Sequence, residues 1–211
     1  MCRNNEASIR DHQRQVLEKM AAGITKMVYI AGVGSRKSVV FTLPAFAIPS
    51  TTTVVIQPKK CLQRETHIQL QRQGIKSYIF GSDDDDDAVP SVILVTPEGT
   101  ATPTWKSMIA EEVIRNNIDR VILGEAHEVL INSAFRPQLE RCVTAMDTIS
   151  PRQIFMAGTL PPSMEREFKM RMGLAQDVCT IRSSCTRPNI RFKYMDREGD
   201  VETLAQSSTP S

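Results

Sequence analysis

Short apolar runs alternate along the chain with longer segments that mix polar and apolar residues. The runs at residues 27–31, 53–57, 77–80, 92–96, 120–123 and 153–157 are rich in Val, Ile and aromatic side chains, as strands buried on both faces are. The segments between them space their apolar residues at helical intervals and predict helices at 9–22, 37–48, 62–73, 106–116, 134–146 and 162–172. Strand followed by helix, repeated, predicts an α/β fold with a central, mostly parallel sheet flanked by helices. The apolar pattern stops after about Tyr194. One domain over 9–194 is therefore expected, with an N-terminal tail at 1–8 and a disordered C-terminal tail at 195–211.

Composition narrows this picture. Hydrophobic residues make up 41% and charged residues 24% of the 211, which excludes general disorder. The formal net charge is +2, yet five acids sit together at Asp83 to Asp87, so the rest of the chain is distinctly basic. The Asp run reads most simply as a solvated insertion. The longest nearly apolar stretch, 39–49, is about half of the roughly 20 residues that cross a bilayer, so no membrane association is expected. The five cysteines, Cys2, Cys61, Cys142, Cys179 and Cys185, are odd in number and show no CxxC spacing. Together with a polar N-terminus, they predict an intracellular, reduced, zinc-free protein, nuclear if its source is eukaryotic.

Two segments carry candidate chemistry. The first predicted strand runs into AGVGSRKSVVF, a small-residue turn followed by Lys37, Ser38 and a helix. A phosphate site needs that order: backbone N–H groups at a helix start face the anion, a Lys reaches the outer phosphates and a Ser can ligate Mg²⁺. The same glycines also fit a plain strand-to-helix bend. Arg36 stands where a glycine would let the backbone wrap most closely. The second segment is the strand at 120–123, which ends in GEAH at Gly124 to His127. A nucleotide-hydrolysing site needs a metal-holding carboxylate at such a strand end, beside a Glu that polarises water. Glu125 supplies the second and Gly124 lacks the first. If the two segments form one site, their strands are expected to be neighbours.

The segments IRDHQ, AGVGSRKS, VVIQPKK, ILVTPEG, VILGEAH, FRPQLE, MAGTLPPS and TRPNIRFKY, in that order, resemble the first RecA-like domain of superfamily-two helicases of the RecQ family. The likeness spans roughly residues 9–194 and implies a RecA-like phosphate-loop fold that binds ATP and Mg²⁺. It further implies that Arg10 and Gln13 read the adenine. Gly34, Ser35, Lys37 and Ser38 would hold phosphates, Ser38 and Glu125 would hold magnesium, and Glu125 would be the catalytic base. Pro58, Lys59, Thr96, Pro97, Glu98 and Arg136 would track single-stranded or partly duplex DNA through its backbone. His127 and Thr159 would couple hydrolysis to movement. Few residues follow Tyr194, so the second RecA-like domain that completes such a motor is expected, if at all, in another chain.

The residues support two functions. One is an ATP-binding and DNA-binding domain of a RecQ-like helicase, truncated and with damaged chemistry, unable to hydrolyse ATP or unwind DNA by itself. The other is a non-catalytic nucleic-acid or protein interaction module on a helicase-derived fold. Taken singly, Lys59 also fits a solvated turn, and Trp105 is expected to be partly buried packing rather than a base-stacking platform.

Overall fold

In a computed structural model of the chain, residues 8–82, 89–111, 117–131, 136–150 and 152–184 are described. Seven strands form the sheet: β1 (Lys26–Ile30), β2 (Thr52–Ile56), β3 (Ser77–Ile79), β4 (Val92–Val95), β5 (Ile118–Leu123), β6 (Gln153–Ala157) and β7 (Cys179–Arg182). All pair in parallel, in the order β3-β4-β2-β5-β6-β1-β7. The helices are α1 (Asp11–Ala21), α2 (Val39–Ala47), α3 (Lys60–Arg72), α4 (Pro103–Ala110), α5 (Glu128–Ile131), α6 (Arg136–Ile149) and α7 (Glu165–Arg171). Short 3-10 turns at Gly99–Ala101 and Pro162–Met164 precede α4 and α7.

Alternate strand residues feed two cores. Met27 and Tyr29 face Val16, Phe41 and Leu70, whereas Val28 and Ile30 face Trp105, Leu139 and Phe168. That period of two, with both faces covered by helices, makes the strands read as continuous apolar runs. Burying such a side chain contributes about 1.5–3 kcal/mol.

The structure differs from the sequence reading at several boundaries. The strand β7 and the short helix α5 were not expected. The helix expected at 106–116 begins at Pro103, because the Thr102 hydroxyl accepts a hydrogen bond from Trp105 N at 3.2 Å and Pro103 suits a first helical position. Residues 112–116 of that expectation lie outside the described residues. Trp105 is only 2% exposed and meets Phe80 edge-on at 5.1 Å, so it is core packing throughout. The tails at 1–7 and 195–211, the TRPNIRFKY segment and the Asp run also lie outside the described residues. Among the described residues no helix is long and apolar enough to cross a membrane.

Register decides where the chemistry gathers. Ile30 pairs with Ala157, Phe155 with Leu123, Leu123 with Ile56, and Ile56 with Val95. The loops that follow β1, β2, β4, β5 and β6 consequently leave the sheet along one edge, at the carboxyl ends of the strands.

Candidate nucleotide and nucleic-acid site

The loop from Ala31 to Ser38 joins β1 to α2 and is pinned from two sides. Ala31 N donates to Ala157 O at 3.0 Å, tying it to the end of β6. From α1, the Gln13 amide donates to Ser35 O at 2.8 Å and to Arg36 O at 3.1 Å, while its oxygen accepts from Arg10 N at 2.9 Å. The Arg10 guanidinium donates to Gly34 O at 3.4 Å. Gln13 is 2% exposed, and both ends of its amide hold the helix start to the loop. Ser35 is buried between exposed neighbours of the loop, and Ser38 precedes α2 without capping it through its hydroxyl. Lys37 turns its ammonium back over the loop, donating to Ala31 O at 2.9 Å and Gly32 O at 3.4 Å.

Gly34 and Arg36 both adopt the left-handed backbone, with φ of 82° and 55°. For glycine this is ordinary. For Arg36 it costs roughly 1–2 kcal/mol, so the loop keeps a glycine geometry at a position without a glycine.

Glu125 follows β5 and is the other described non-glycine residue in the left-handed region, with φ of 50°. Ala126 N donates to Met156 O at 2.8 Å and fixes this turn against β6. The sequence reading expected the strands before Lys37 and Glu125 to be neighbours. They are not: β6 lies between β1 and β5. The two residues meet over the end of that middle strand, where Gly158 supplies the room. A Cβ at Gly158 would lie 3.4 Å from Glu125 Oε2, 3.7 Å from Lys37 Nζ and 3.8 Å from His127 Cε1. Gly158 was not singled out from sequence, although its place after an apolar strand in MAGT is the signal a close approach leaves.

His127 Nδ1 is buried 3.4 Å from Glu125 Oε2 and makes no hydrogen bond. Burial holds the imidazole below its ordinary pKa, Glu125 and Glu128 pull the other way, and Lys37 and Lys59 add to the lowering. Gly124, also at the end of β5, donates its N–H to Ile56 O at 2.8 Å. A Cβ there would meet Ile56 O at 3.4 Å and Gln57 Cγ at 3.6 Å, both ordinary contacts. Among the described residues no group of three or more His, Cys, Asp or Glu side chains could hold a metal ion.

The residues expected to follow nucleic acid fall on the same edge. Pro58 is buried, and exposed Lys59 pairs with Glu128 at 3.5 Å. Thr96 accepts from Gly99 N at 3.0 Å, and buried Pro97 accepts from the Thr100 hydroxyl at 2.7 Å, so this turn is internally braced. Thr96 and Glu98 line a cleft of about 580 Å³ together with Lys60 and Arg64 of α3. Those two cations, one helical turn apart, were not assigned a role from sequence; their spacing of four was the available cue. Thr159 is exposed directly after Gly158, and the next carbonyl, Leu160 O, accepts from Arg182 of β7. Arg136 opens α6; its side chain and the loop before it lie outside the described residues.

The family model described as DEAD/DEAH box helicase matches residues 10–167. No curated protein matches the chain. Among solved structures, the chain is similar to a hypothetical ATP-dependent RNA helicase from Sulfolobus tokodaii, with TM-score 0.60 and 16% identity over 85% of this chain and 54% of that one. It is also similar to the DUF1998 helicase MrfA bound to DNA, with TM-score 0.67 and 13% identity over 85% of this chain and 26% of that one. A third likeness is to the Sulfolobus solfataricus SWI2/SNF2 ATPase core in complex with dsDNA, with TM-score 0.52 and 15% identity over 79% and 35%. The chain thus spans about half or less of each of these proteins, and the likeness is one of fold.

Proposed function

The chain belongs to the DEAD/DEAH box helicase family, and from that premise we propose that it is a RecQ-like nucleotide-binding and DNA-binding domain whose phosphate site survives and whose hydrolytic chemistry is lost. One observation carries the reading: Lys37, Glu125 and His127 converge on Gly158, while Gly124, beside that convergence, bears no carboxylate.

Family members bind ATP with Mg²⁺. The residues here fit the phosphates. The loop keeps its left-handed turns and its lysine, and α2 offers a helix start behind them. Lys37, Ser35 and Ser38 would hold the phosphates, with Arg10 and Gln13 acting through the shape of the loop. The residues do not fit the metal equally well. Ser38 and Glu125 alone remain of the expected donors, and magnesium binding would be weak. ATP, when bound, supplies the phosphoryl group that helicases transfer to water, and Glu125 could polarise that water. Without a held metal the developing charge lacks its main partner.

Two of the solved structures above contain DNA. The cleft that brings Thr96 and Glu98 beside Lys60 and Arg64 supports a DNA track for this chain, with Pro58, Lys59, Pro97 and Arg136 along it and Thr159 at the motor's coupling position. A second RecA-like domain would be needed for movement. Arg36 and Gly124 also favour a second reading, a non-catalytic DNA-binding or protein-binding module.

Mg·ATP binding and DNA-stimulated hydrolysis measured on one purified sample separate these readings. Lys37-dependent ATP binding with negligible turnover supports the proposal. Absence of ATP binding alongside retained DNA binding supports the second reading, and turnover at the usual enzyme scale of about 1 to 10³ per second contradicts both.

A further inference from the structure

Helix α2 is apolar at every position except Thr42, but only Val40, Phe41 and Ala45 are buried. Leu43, Phe46 and the following Ile48 are exposed, Phe46 to 67%. A helix that is hydrophobic all round is normally covered all round, and a contiguous exposed apolar patch marks a surface that meets something. Beside the patch, Leu17 and Met20 of α1, Leu43 of α2 and the following Ile48 wall a cleft of about 320 Å³. It lies at the amino ends of the strands, remote from the phosphate loop, so its role is independent of the proposed nucleotide chemistry.

The far end of this cleft is charged. Arg120 and Arg152 both pair with Asp119, which puts two guanidiniums on one carboxylate. Arg120 is 8% exposed, and its Nη1 lies 3.8 Å from the Met20 sulfur. The neighbouring Lys26–Asp147 pair, at 2.7 Å, is neutral as a unit. Among the described residues that line the cleft, Arg120 and Arg152 against Asp119 leave one positive charge over at the end of an apolar trough. We propose that this cleft docks an acidic amphipathic segment of a partner protein, its apolar face over Leu43, Phe46 and Ile48 and a carboxylate on Arg152 and Arg120. Charge selects this occupant. A twofold pairing of the patch with a second copy would bring like charges together, and a nucleic-acid backbone would leave the apolar patch uncovered.

The test is a displayed library of short amphipathic helices, acidic, neutral and basic, selected on the full chain, with the winning peptides synthesised and titrated by fluorescence anisotropy. Acidic sequences with Leu or Phe on one face are expected to win. Their affinity should fall about tenfold or more with Phe46→Glu and with Arg152→Glu. Exchanging the peptide's acid for Lys should restore binding to Arg152→Glu. Both residues are largely exposed, so the variants should fold, which their melting curves verify. Selection of basic or neutral peptides, no enrichment, or indifference to both substitutions would overturn the inference. So would a wild-type dimer in sedimentation that Phe46→Glu dissolves, which would show that a second copy covers the patch.

Discussion

Lys37 and Glu125 stand on either side of Gly158, and the distances from its missing Cβ bound their separation at about 7 Å, close enough for their charges to interact. Strands that are not neighbours achieve this because β6 ends between them without a side chain. Gly158→Ala places a methyl group in ordinary contact with three side chains, Glu125, Lys37 and His127, rather than against backbone. Stability should change by less than about 1 kcal/mol in urea unfolding, while ATP affinity falls several-fold as the methyl group fills the gap between Lys37 and Glu125 that a phosphate would enter. An unchanged affinity would mean that this convergence plays no part in nucleotide binding.

Arg36 holds a glycine's backbone angle. Arg36→Gly relieves a strain of about 1–2 kcal/mol, offset by about 0.5–1 kcal/mol of unfolded-chain entropy. Arg36→Ala keeps the strain and gains nothing. Denaturant midpoints should therefore rank Arg36→Gly above Arg36→Ala, and only the glycine variant should bind ATP more tightly than wild type.

Gln13 joins α1 to the phosphate loop through Ser35 O and Arg36 O. Gln13→Ala leaves the buried Ser35 carbonyl without its donor, at about 1–3 kcal/mol of stability, while Arg36 O keeps its bond from Val39 N at 3.2 Å. Because the amide acts on the loop, affinities for ATP and GTP should fall together. A selective loss of the ATP preference would instead show that Gln13 turns to the base.

His127 and His12 are both held below the ordinary imidazole value of 6.5, His127 chiefly by burial and His12 by burial and then Arg10. His12 Nδ1 also lies 2.7 Å from the Tyr29 hydroxyl. Below 6.5 the unfolded chain takes up protons that the folded domain resists. Stability from these groups is thus complete above that pH and declines as pH falls towards the lowered folded values. Melting temperatures between about pH 5 and 8 should drop on the acid side, and His127→Gln should flatten part of that drop, with His12 contributing to the remainder.

Six of the seven strands, β1 to β6, were legible because each is a compact run of Val, Ile or aromatic residues between turns. Strand β7 was not. Its residues Cys179, Thr180, Ile181 and Arg182 lie at a sheet edge with only Ile181 buried, and they leave a weak apolar signature. Lys37 and Glu125 could be picked out by residue type and strand-end position. Gly158 and the Gln13 contacts could not, since they depend on strand order and on partners some 22 residues apart in sequence. Adjacency of β1 and β5 was inferred from a shared site, and the sheet satisfied the site with a strand in between.

Magnesium dependence of ATP affinity tests the loss of the metal position most directly, because it needs neither hydrolysis nor a second domain. Gly124→Asp adds a carboxylate whose Cβ has ordinary contacts with Ile56 O at 3.4 Å and Gln57 Cγ at 3.6 Å, so the variant should fold. Titrating a fluorescent ATP analogue with and without Mg²⁺, wild type should bind in both conditions with affinities within about twofold of each other, and Gly124→Asp should gain about tenfold from the metal, about 1.4 kcal/mol. Strong magnesium dependence in wild type, or no gain in Gly124→Asp, would contradict the proposed loss of metal-assisted chemistry.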